Sequence, residues 1–375
     1  MKNLCFFIKD HQDLDHFCPI ISKLQKNNKV FIILEDKKFK NDPRLEYIIT
    51  NNLNIEIAFK EKNPISDKIN FLLFKNLKIA KILLSIFRLD IFLKIIILFQ
   101  KKNILIQKKI DIVFFDHRPV YLCNHIILIK ILNIQVISLP HGYQIFTEKI
   151  PFSQTQSDRN LFSKYLVQTK FQKENLIKLD LSPKKIEIIG SSRFSKNWIN
   201  TIDKIYYKKK YFDNDLSTIS FFIGHWKYYL DKNKTLSLIE KIVNLKRFNI
   251  FLNLHTRGTS ELPNEFLNKL NNKNIIINNG EIYASETIRE SDIIIGVGTS
   301  VILEAITRNK KLFYLGYLQK LETVFSYLNN QSYINSDLEL LNKLKDYKNN
   351  ITENDNNKFY ENFIEEKLDN LIKLI

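Results

Sequence analysis

The feature that most constrains this chain is a regular alternation of short apolar runs with segments of helical length. Seven runs fall before residue 190, and five more follow residue 217. Apolar runs at this spacing predict parallel strands that helices cover on both faces. The runs are residues 4–8, 30–34, 55–59, 110–115, 135–139, 165–168, 186–189, 219–223, 250–254, 275–277, 293–295 and 312–315.

The two series of runs predict two doubly wound domains rather than one large sheet. A charged, aromatic stretch at 206–215 separates the series, and the join is expected within 195–217. The predicted domains are residues 1–197 and 198–375, the second ending in a helix. A chain of 375 residues with 45% hydrophobic residues is long and apolar enough to form two cores of this kind.

Charge and cysteine content limit the partners and the compartment. Lys and Arg number 57 against 40 Asp and Glu, which gives a formal charge of +17 and favours nucleic acid, anionic lipid or phosphorylated small molecules. Cys5, Cys18 and Cys123 are too few and too scattered for a disulfide framework or a cysteine zinc site. The first residues lack the long apolar core of a signal peptide. We therefore expect a cytoplasmic protein.

The most apolar part of the chain, residues 69–100, does not predict a transmembrane span. Charged residues interrupt it well before the roughly 20 apolar residues that a span needs. A narrow basic stripe on an otherwise apolar helix is predicted, because polar positions recur three to four residues apart at Lys75, Lys78, Lys81 or Ile82, Ser85 and Arg88. Such a helix either packs in a core, the commoner arrangement, or lies on an anionic membrane surface. The second interpretation predicts peripheral binding to the inner face of the cytoplasmic membrane.

The eight glycines follow the predicted strands closely, and none occurs before Gly142. Ligands of open α/β sheets bind outside the carboxyl ends of the strands, where glycine lets backbone N–H groups approach a phosphate. Tight turns alone explain some of these positions. Besides Gly142, the chain's glycines are Gly190, Gly224, Gly258, Gly280, Gly296, Gly298 and Gly316.

The strongest motif lies at residues 291–305. A buried run ends in Gly296-Val297-Gly298-Thr299-Ser300, so backbone N–H groups and two hydroxyls converge where a phosphate is expected. Glu304 follows about one turn later and is placed to accept hydrogen bonds from ribose hydroxyls. The motif is neither Gly-x-Gly-x-x-Gly nor a P-loop, so hydride transfer and ATP hydrolysis lose their usual sequence support.

Two further strand ends in the second half carry basic side chains. His255 and Arg257 are two residues apart and can contact one diphosphate together, the arginine with its planar guanidinium. His225 follows the first strand of the second series, with Lys227 nearby as its expected partner. These residues extend the predicted phosphate site.

In the first half, Asp116 and His141 follow consecutive predicted strands, so their loops are expected side by side. A single histidine after a strand more often makes a structural hydrogen bond than it acts in catalysis. Because three such histidines occur across the two doubly wound halves, a catalytic role is about as good an interpretation as a structural one.

These motifs together resemble the GT-B superfamily of nucleotide-sugar glycosyltransferases. The resemblance is to the branch near the CDP-glycerol glycerophosphotransferases, the capsule-type sialyl- and Kdo-transferases, and the non-hydrolysing UDP-N-acetylglucosamine 2-epimerases. It rests on Pro140-His141-Gly142, on 186–190, on His255-Thr256 and on 291–305. It implies an α/β fold of two Rossmann-like domains that face a central cleft, with residues 1–197 on the acceptor side and 198–375 binding the nucleotide donor.

The resemblance also implies roles for individual residues. His255, Thr299 and Ser300 hold the donor's phosphates, and Glu304 the ribose. No metal and no other cofactor is expected, because GT-B enzymes stabilise the leaving diphosphate with helix N-termini and basic side chains. Thr256 stands where capsule-type families carry proline, which leaves the donor nucleotide open. The resemblance further implies that His141 acts on the acceptor, and we expect it to be the general base, with Asp116 as the alternative. From their own positions after strands, Arg257, Gly298 and His225 are expected to complete the donor site.

The leading hypothesis is a metal-independent glycosyltransferase that moves a sugar from a nucleotide-sugar to a polysaccharide or lipid-linked acceptor of the cell surface, as in capsule or lipopolysaccharide synthesis. The same fold allows CDP-polyol phosphotransfer or UDP-sugar 2-epimerisation. A nucleic-acid-binding protein is the alternative of another class, suggested by an isoelectric point near 9.4. It is disfavoured because the lysines are spread along the chain instead of forming one basic face.

Overall fold

A computed structural model describes residues 1–52, 54–59, 104–116, 129, 132–140, 142–148, 162–206, 209–227, 230–255, 260–270, 273–347 and 356–375. The stretch at 69–100, His141 and Arg257 lie outside the described residues, so the predictions made for them stay predictions. Among the described residues, no helix combines the length and apolar character that crossing a bilayer requires.

The first sheet has seven parallel strands in the order β3-β2-β1-β4-β5-β6-β7. The order reverses between β1 and β4, which is the point where doubly wound sheets open a crevice. Buried aromatic side chains join the central strands, as Phe6 stacks on Phe114 with ring centroids 4.5 Å apart. The strands are β1 (Asn3–Ile8), β2 (Lys29–Leu34), β3 (Ile55–Phe59), β4 (Ile112–Asp116), β5 (Gln135–Leu139), β6 (Lys164–Val167) and β7 (Ile186–Ile188).

Helix α1 shows how local sequence sets an element of the first sheet. Asp10 accepts hydrogen bonds from the backbone N–H groups of Gln12 and Asp13, and Asp13 bonds back to the Asp10 backbone. This reciprocal cap fixes the helix start directly after β1. The helices of this half are α1 (His11–Leu24), α2 (Pro43–Thr50), α3 (Ile104–Gln107) and α4 (Lys170–Ile177).

The second sheet has six parallel strands in the order β10-β9-β8-β11-β12-β13. Its central strands β8 and β11 are almost entirely buried, as their apolar sequences require. The strands are β8 (Ser217–Ile223), β9 (Phe248–Asn253), β10 (Ile275–Asn278), β11 (Ile293–Val297), β12 (Lys311–Leu315) and β13 (Tyr333–Ile334). The helices that follow in the chain are α5 (Lys196–Ile205), α6 (Lys232–Val243), α7 (Asn264–Lys269), α8 (Ala284–Arg289), α9 (Leu303–Thr307), α10 (Asp337–Lys345), α11 (Asn357–Phe363) and α12 (Leu368–Leu374).

The chain forms two compact units. Unit 1 comprises Met1–Gly142, Pro151–Ser192 and Lys367–Ile375, and unit 2 comprises Tyr143–Ile150 and Arg193–Glu366. The chain therefore enters unit 2 twice and returns to unit 1 at its carboxyl end. The predicted domain boundary at 197/198 stays a prediction; the longest segment of unit 2 begins at Arg193.

The predicted fold class is confirmed. Each of the twelve apolar runs coincides with a strand, and the predicted ends differ from the observed ends by two residues or fewer. The sequence pattern missed β13, because two residues are too few to give a recognisable apolar run.

Candidate functional site

Three loops of unit 2 lie side by side at one edge of its sheet. They follow β9, β8 and β11, which are neighbours in that order. Parallel strands bring all their carboxyl ends to the same edge, so the loops after β9, β8 and β11 are adjacent. These three loops carry the histidines and the glycine-rich turn that the sequence singled out.

The imidazoles of His225 and His255 form a pair, with ring centroids 5.6 Å apart and ring planes inclined at 58°. The backbone N–H of Lys227 donates to Nδ1 of His225 at 3.0 Å. The neutral ring therefore carries its proton on Nε2, which is a hydrogen-bond donor. Lys227 thus partners His225 through its backbone. His255 is fixed by its own backbone N–H, which donates to the Ser260 hydroxyl.

The turns after β8 and β11 each require glycine at one position. Gly298 has a φ of +61°, a left-handed conformation that other residues adopt at a cost. Gly224 follows β8 and donates its backbone N–H to the Val297 carbonyl at 2.8 Å. A Cβ atom on Gly224 would lie 2.2 Å from the carbonyl oxygen of Gly298. The two loops therefore contact each other closely through their backbones.

Thr299 and Ser300 begin the helical segment that the sequence predicted after this turn. The Thr299 hydroxyl accepts a hydrogen bond from the Val301 backbone N–H at 3.3 Å. A single 3-10 turn at Ser300–Ile302 then leads into α9. Both side chains are partly exposed at the sheet edge.

Glu304 is buried in a network of polar side chains. Its Oε2 accepts a hydrogen bond from Ser285 at 2.6 Å, and its Oε1 accepts one from Nε of Arg308 at 2.7 Å. Arg308 also donates to both oxygens of Asp203, at 2.7 and 2.8 Å. Burial lowers the pKa of Arg308, but the two carboxylates more than offset this and hold the pKa above its ordinary value. Each Glu304 oxygen has a further lone pair with which to accept a hydroxyl.

In unit 1 the structure pairs Asp116 with a residue that the sequence analysis passed over. Asp116 ends β4 and is fully buried, and its Oδ2 accepts a hydrogen bond from the ammonium of Lys9. Lys9 directly follows β1, the neighbour of β4 in the sheet. The rule that had selected Asp116, a polar side chain at a strand's carboxyl end, applied equally to Lys9.

Helix α1 adds further buried polar groups at this end of unit 1. Asp13 accepts the backbone N–H of Lys9 at 2.9 Å. His16 is buried, with its Nδ1 3.4 Å from Nε2 of Gln168, which follows β6. In the part of the chain that the structure describes, no three His, Cys, Asp or Glu side chains are grouped to hold a metal ion.

The sheet orders and the two Rossmann-like units define the GT-B fold. No family model matches the chain, and no curated protein resembles it in sequence. UDP-GlcNAc 2-epimerase from Methanocaldococcus jannaschii is similar in structure, with a TM-score of 0.58 at 14% identity over 99% of each chain. The Neisseria meningitidis UDP-GlcNAc 2-epimerase bound to UDP-GlcNAc gives 0.54 at 14% identity over 100% of each chain.

Anabaena Alr3699/HepE, solved with UDP and glucose, is also similar in structure. It gives a TM-score of 0.57 at 11% identity, over 97% of this chain and 96% of its own. The predicted likeness to GT-B proteins near the UDP-GlcNAc 2-epimerases is therefore confirmed at the level of the fold.

Proposed function

We propose that this protein is a UDP-sugar enzyme whose unit 2 binds the nucleotide, and that its reaction is 2-epimerisation of the sugar. The observation that carries the proposal is the imidazole pair of His225 and His255 beside the turn at Gly298–Ser300. Structural neighbours that span the whole chain are UDP-GlcNAc 2-epimerases, which supports this reaction over the glycosyl transfer that the sequence had favoured.

The chemistry of the three loops suits a diphosphate. Nε2–H of His225, the imidazole of His255 and the hydroxyls of Thr299 and Ser300 are hydrogen-bond donors within one sheet edge. Donors fixed by surrounding backbone stabilise an anion without reorganising when it binds. Arg257, two residues beyond His255, supplies a full positive charge in the proposal, and Glu304 accepts the ribose hydroxyls.

Epimerisation at C2 requires a base that takes the C2 proton. Because no carbonyl group stabilises the electron pair of the broken C2–H bond, that pair forms a C1–C2 double bond as UDP leaves from C1. UDP then adds back to C1 while a proton is delivered to the opposite face of C2. The reaction therefore needs acid–base groups and no second substrate. Asp116 and His141 are the proposed acid–base residues. The Lys9 ammonium donates to the Asp116 carboxylate and holds it at the end of β4.

Glycosyl transfer is the second candidate, because Alr3699/HepE was solved with UDP-glucose and with UDP and glucose. In that reaction a base takes the proton of an acceptor hydroxyl, and UDP leaves from C1. His141 is then the proposed base and Asp116 the alternative.

Incubation with UDP-GlcNAc in D₂O separates the two reactions. Epimerisation is expected to give the 2-epimer with deuterium at C2, seen by proton NMR as loss of the H2 signal, in a product that carries UDP. Release of UDP with H2 intact, only when an acceptor glycan is added, would instead establish transfer. The matched variants are Asp116→Asn, expected to lower the rate about 100-fold or more, and Asp111→Asn, an exposed control before β4.

A further inference from the structure

Unit 2 contains a cavity of about 240 Å³ beside the carboxyl end of β12. Residues at the end of this strand and in the segment at 319–326 line the cavity. Its polar lining side chains are Tyr314, Gln319, Lys320, Glu322, Thr323, Ser326 and Tyr333.

One wall of the cavity is the ring of Tyr333. A Cβ atom on Gly316 would lie 2.0 Å from the Tyr333 hydroxyl, so only glycine leaves room for this ring. Burial and the nearby Glu322 carboxylate raise the pKa of Tyr333. The hydroxyl therefore stays protonated at neutral pH and can donate a hydrogen bond to a ligand.

The Glu322 carboxylate at the mouth is oriented by hydroxyl groups on both of its oxygens. Oε1 accepts a hydrogen bond from Ser326 at 3.2 Å, and Oε2 accepts one from Thr147 at 3.3 Å. The backbone is fixed as well, because Phe146 and Thr323 form an antiparallel bridge. Glu322 remains exposed, so its spare lone pairs form an acceptor that is oriented before a ligand binds.

The cavity adjoins the proposed phosphate turn through two side chains. The backbone of Gly298 and the hydroxyl of Thr323 both hydrogen-bond the Tyr314 hydroxyl. The side-chain oxygen of Gln319 lies 2.9 Å from the position that a Cβ on Gly298 would occupy. A group attached to a phosphate on this turn is therefore next to the cavity.

We propose that this cavity binds the hexosyl group of the nucleotide-sugar, an inference that rests on the proposed function. Its volume is below the roughly 300 to 1,000 Å³ of pockets that enclose a whole drug-sized ligand, so it suits one sugar ring and not a nucleotide. A sugar ring presents hydroxyls that both donate and accept. Glu322 supplies the acceptor, and Lys320 and Tyr333 supply donors.

Calorimetric titration with UDP, UDP-GlcNAc and UDP-glucose tests the inference. The variants are Glu322→Gln and Tyr333→Phe, with Glu361→Gln as a control on an exposed position of α11. Glu322→Gln is expected to leave the Kd for UDP within about twofold and to weaken binding of at least one UDP-sugar roughly 10- to 150-fold. Tyr333→Phe is expected to weaken the same UDP-sugar about 2- to 12-fold, with UDP again unchanged.

The outcomes separate the cavity from the function on which it rests. If both folded variants bind the UDP-sugars as tightly as the wild-type protein does, the cavity is not the sugar site. The same conclusion follows if the wild-type protein binds the UDP-sugars no more tightly than it binds UDP. Equal loss of UDP and UDP-sugar binding in Glu322→Gln also overturns it. A wild-type protein that binds none of the three ligands contradicts the proposed function itself.

Discussion

At the scale of single residues, the rule that polar side chains at strand ends lie close together holds for two histidines of unit 2, whose role stays a prediction. His225 and His255 were selected because each follows a predicted strand, and the structure brings their rings into contact distance. The partners of Glu304 were not predictable in this way. Ser285 reaches Glu304 from a different helix, and pairing across elements depends on tertiary packing that no local pattern encodes. Arg308 alone had a local signal, since it lies four residues after Glu304 on the same helix face.

The imidazole pair gives the first prediction. His225→Ala and His255→Ala are each expected to weaken UDP binding by about 1.5 to 3 kcal/mol, because a charge-assisted hydrogen bond to phosphate is lost. Calorimetry on folded variants measures this. His11→Ala is the control, since its ring is exposed and lies at the start of α1 in unit 1. Unchanged UDP affinity in both variants would remove the pair from the phosphate site.

The buried pair of Lys9 and Asp116 gives a second prediction, on stability. Lys9→Met is expected to destabilise the protein by about 3 to 5 kcal/mol, because it leaves a buried carboxylate without its counter-ion. Replacing both residues, Lys9→Met with Asp116→Leu, is expected to recover much of that loss. Urea unfolding measures the difference.

The control for this pair is the exposed ion pair of Lys38 and Asp36, whose side chains are 61% and 49% accessible. Lys38→Met is expected to cost less than about 1 kcal/mol, because solvent screens exposed charges. Similar losses from Lys9→Met and Lys38→Met would contradict a strongly coupled buried pair.

At the scale of elements, glycines of the second sheet serve close packing. Gly296 was expected in a loop after a strand, but it lies within β11, paired with Tyr314 of β12. A Cβ atom there would meet Cγ2 of Ile302 at 2.3 Å. Gly296 therefore lets the helical segment after the turn pack directly on the strand, which places Thr299 and Ser300 at the sheet edge.

A double-mutant cycle on Gly296 and Ile302 checks this packing. Gly296→Ala is expected to cost about 1 to 3 kcal/mol through overpacking, and Ile302→Ala about 2 to 5 kcal/mol through a cavity. The double variant is expected to cost less than the sum, since the new methyl fills space that the isoleucine left. Gly142→Ala is the control, because a Cβ there has no neighbour within 4 Å. Additive losses would refute direct contact.

At the scale of the whole molecule, the net charge of +17 still has no structural assignment. The basic stripe at 69–100 lies outside the described residues, so binding to the inner face of the cytoplasmic membrane stays a prediction, as does the cytoplasmic location. The alternation of apolar runs predicted both sheets because each buried strand shows the same local pattern of apolar residues. No local pattern predicts that the end of the chain returns to unit 1, since a short amphipathic helix can cover either sheet.

That return gives the last prediction. The backbone N–H of Lys367 donates to the Ile189 carbonyl at 2.8 Å, and Leu368 and Leu371 are buried in unit 1. Deleting residues 367–375 is expected to lower the stability of unit 1 by several kcal/mol, at about 1.5 to 3 kcal/mol for each buried leucine. Unit 2 is expected to keep its stability, so proteolysis followed by mass spectrometry should find faster cleavage in residues 1–142 and 162–192 alone. Ile372→Ala, at an exposed position of the same helix, is the control and should change neither rate. Equal acceleration of cleavage in both units would show that the terminal helix does not stabilise unit 1 selectively, although it contacts that unit.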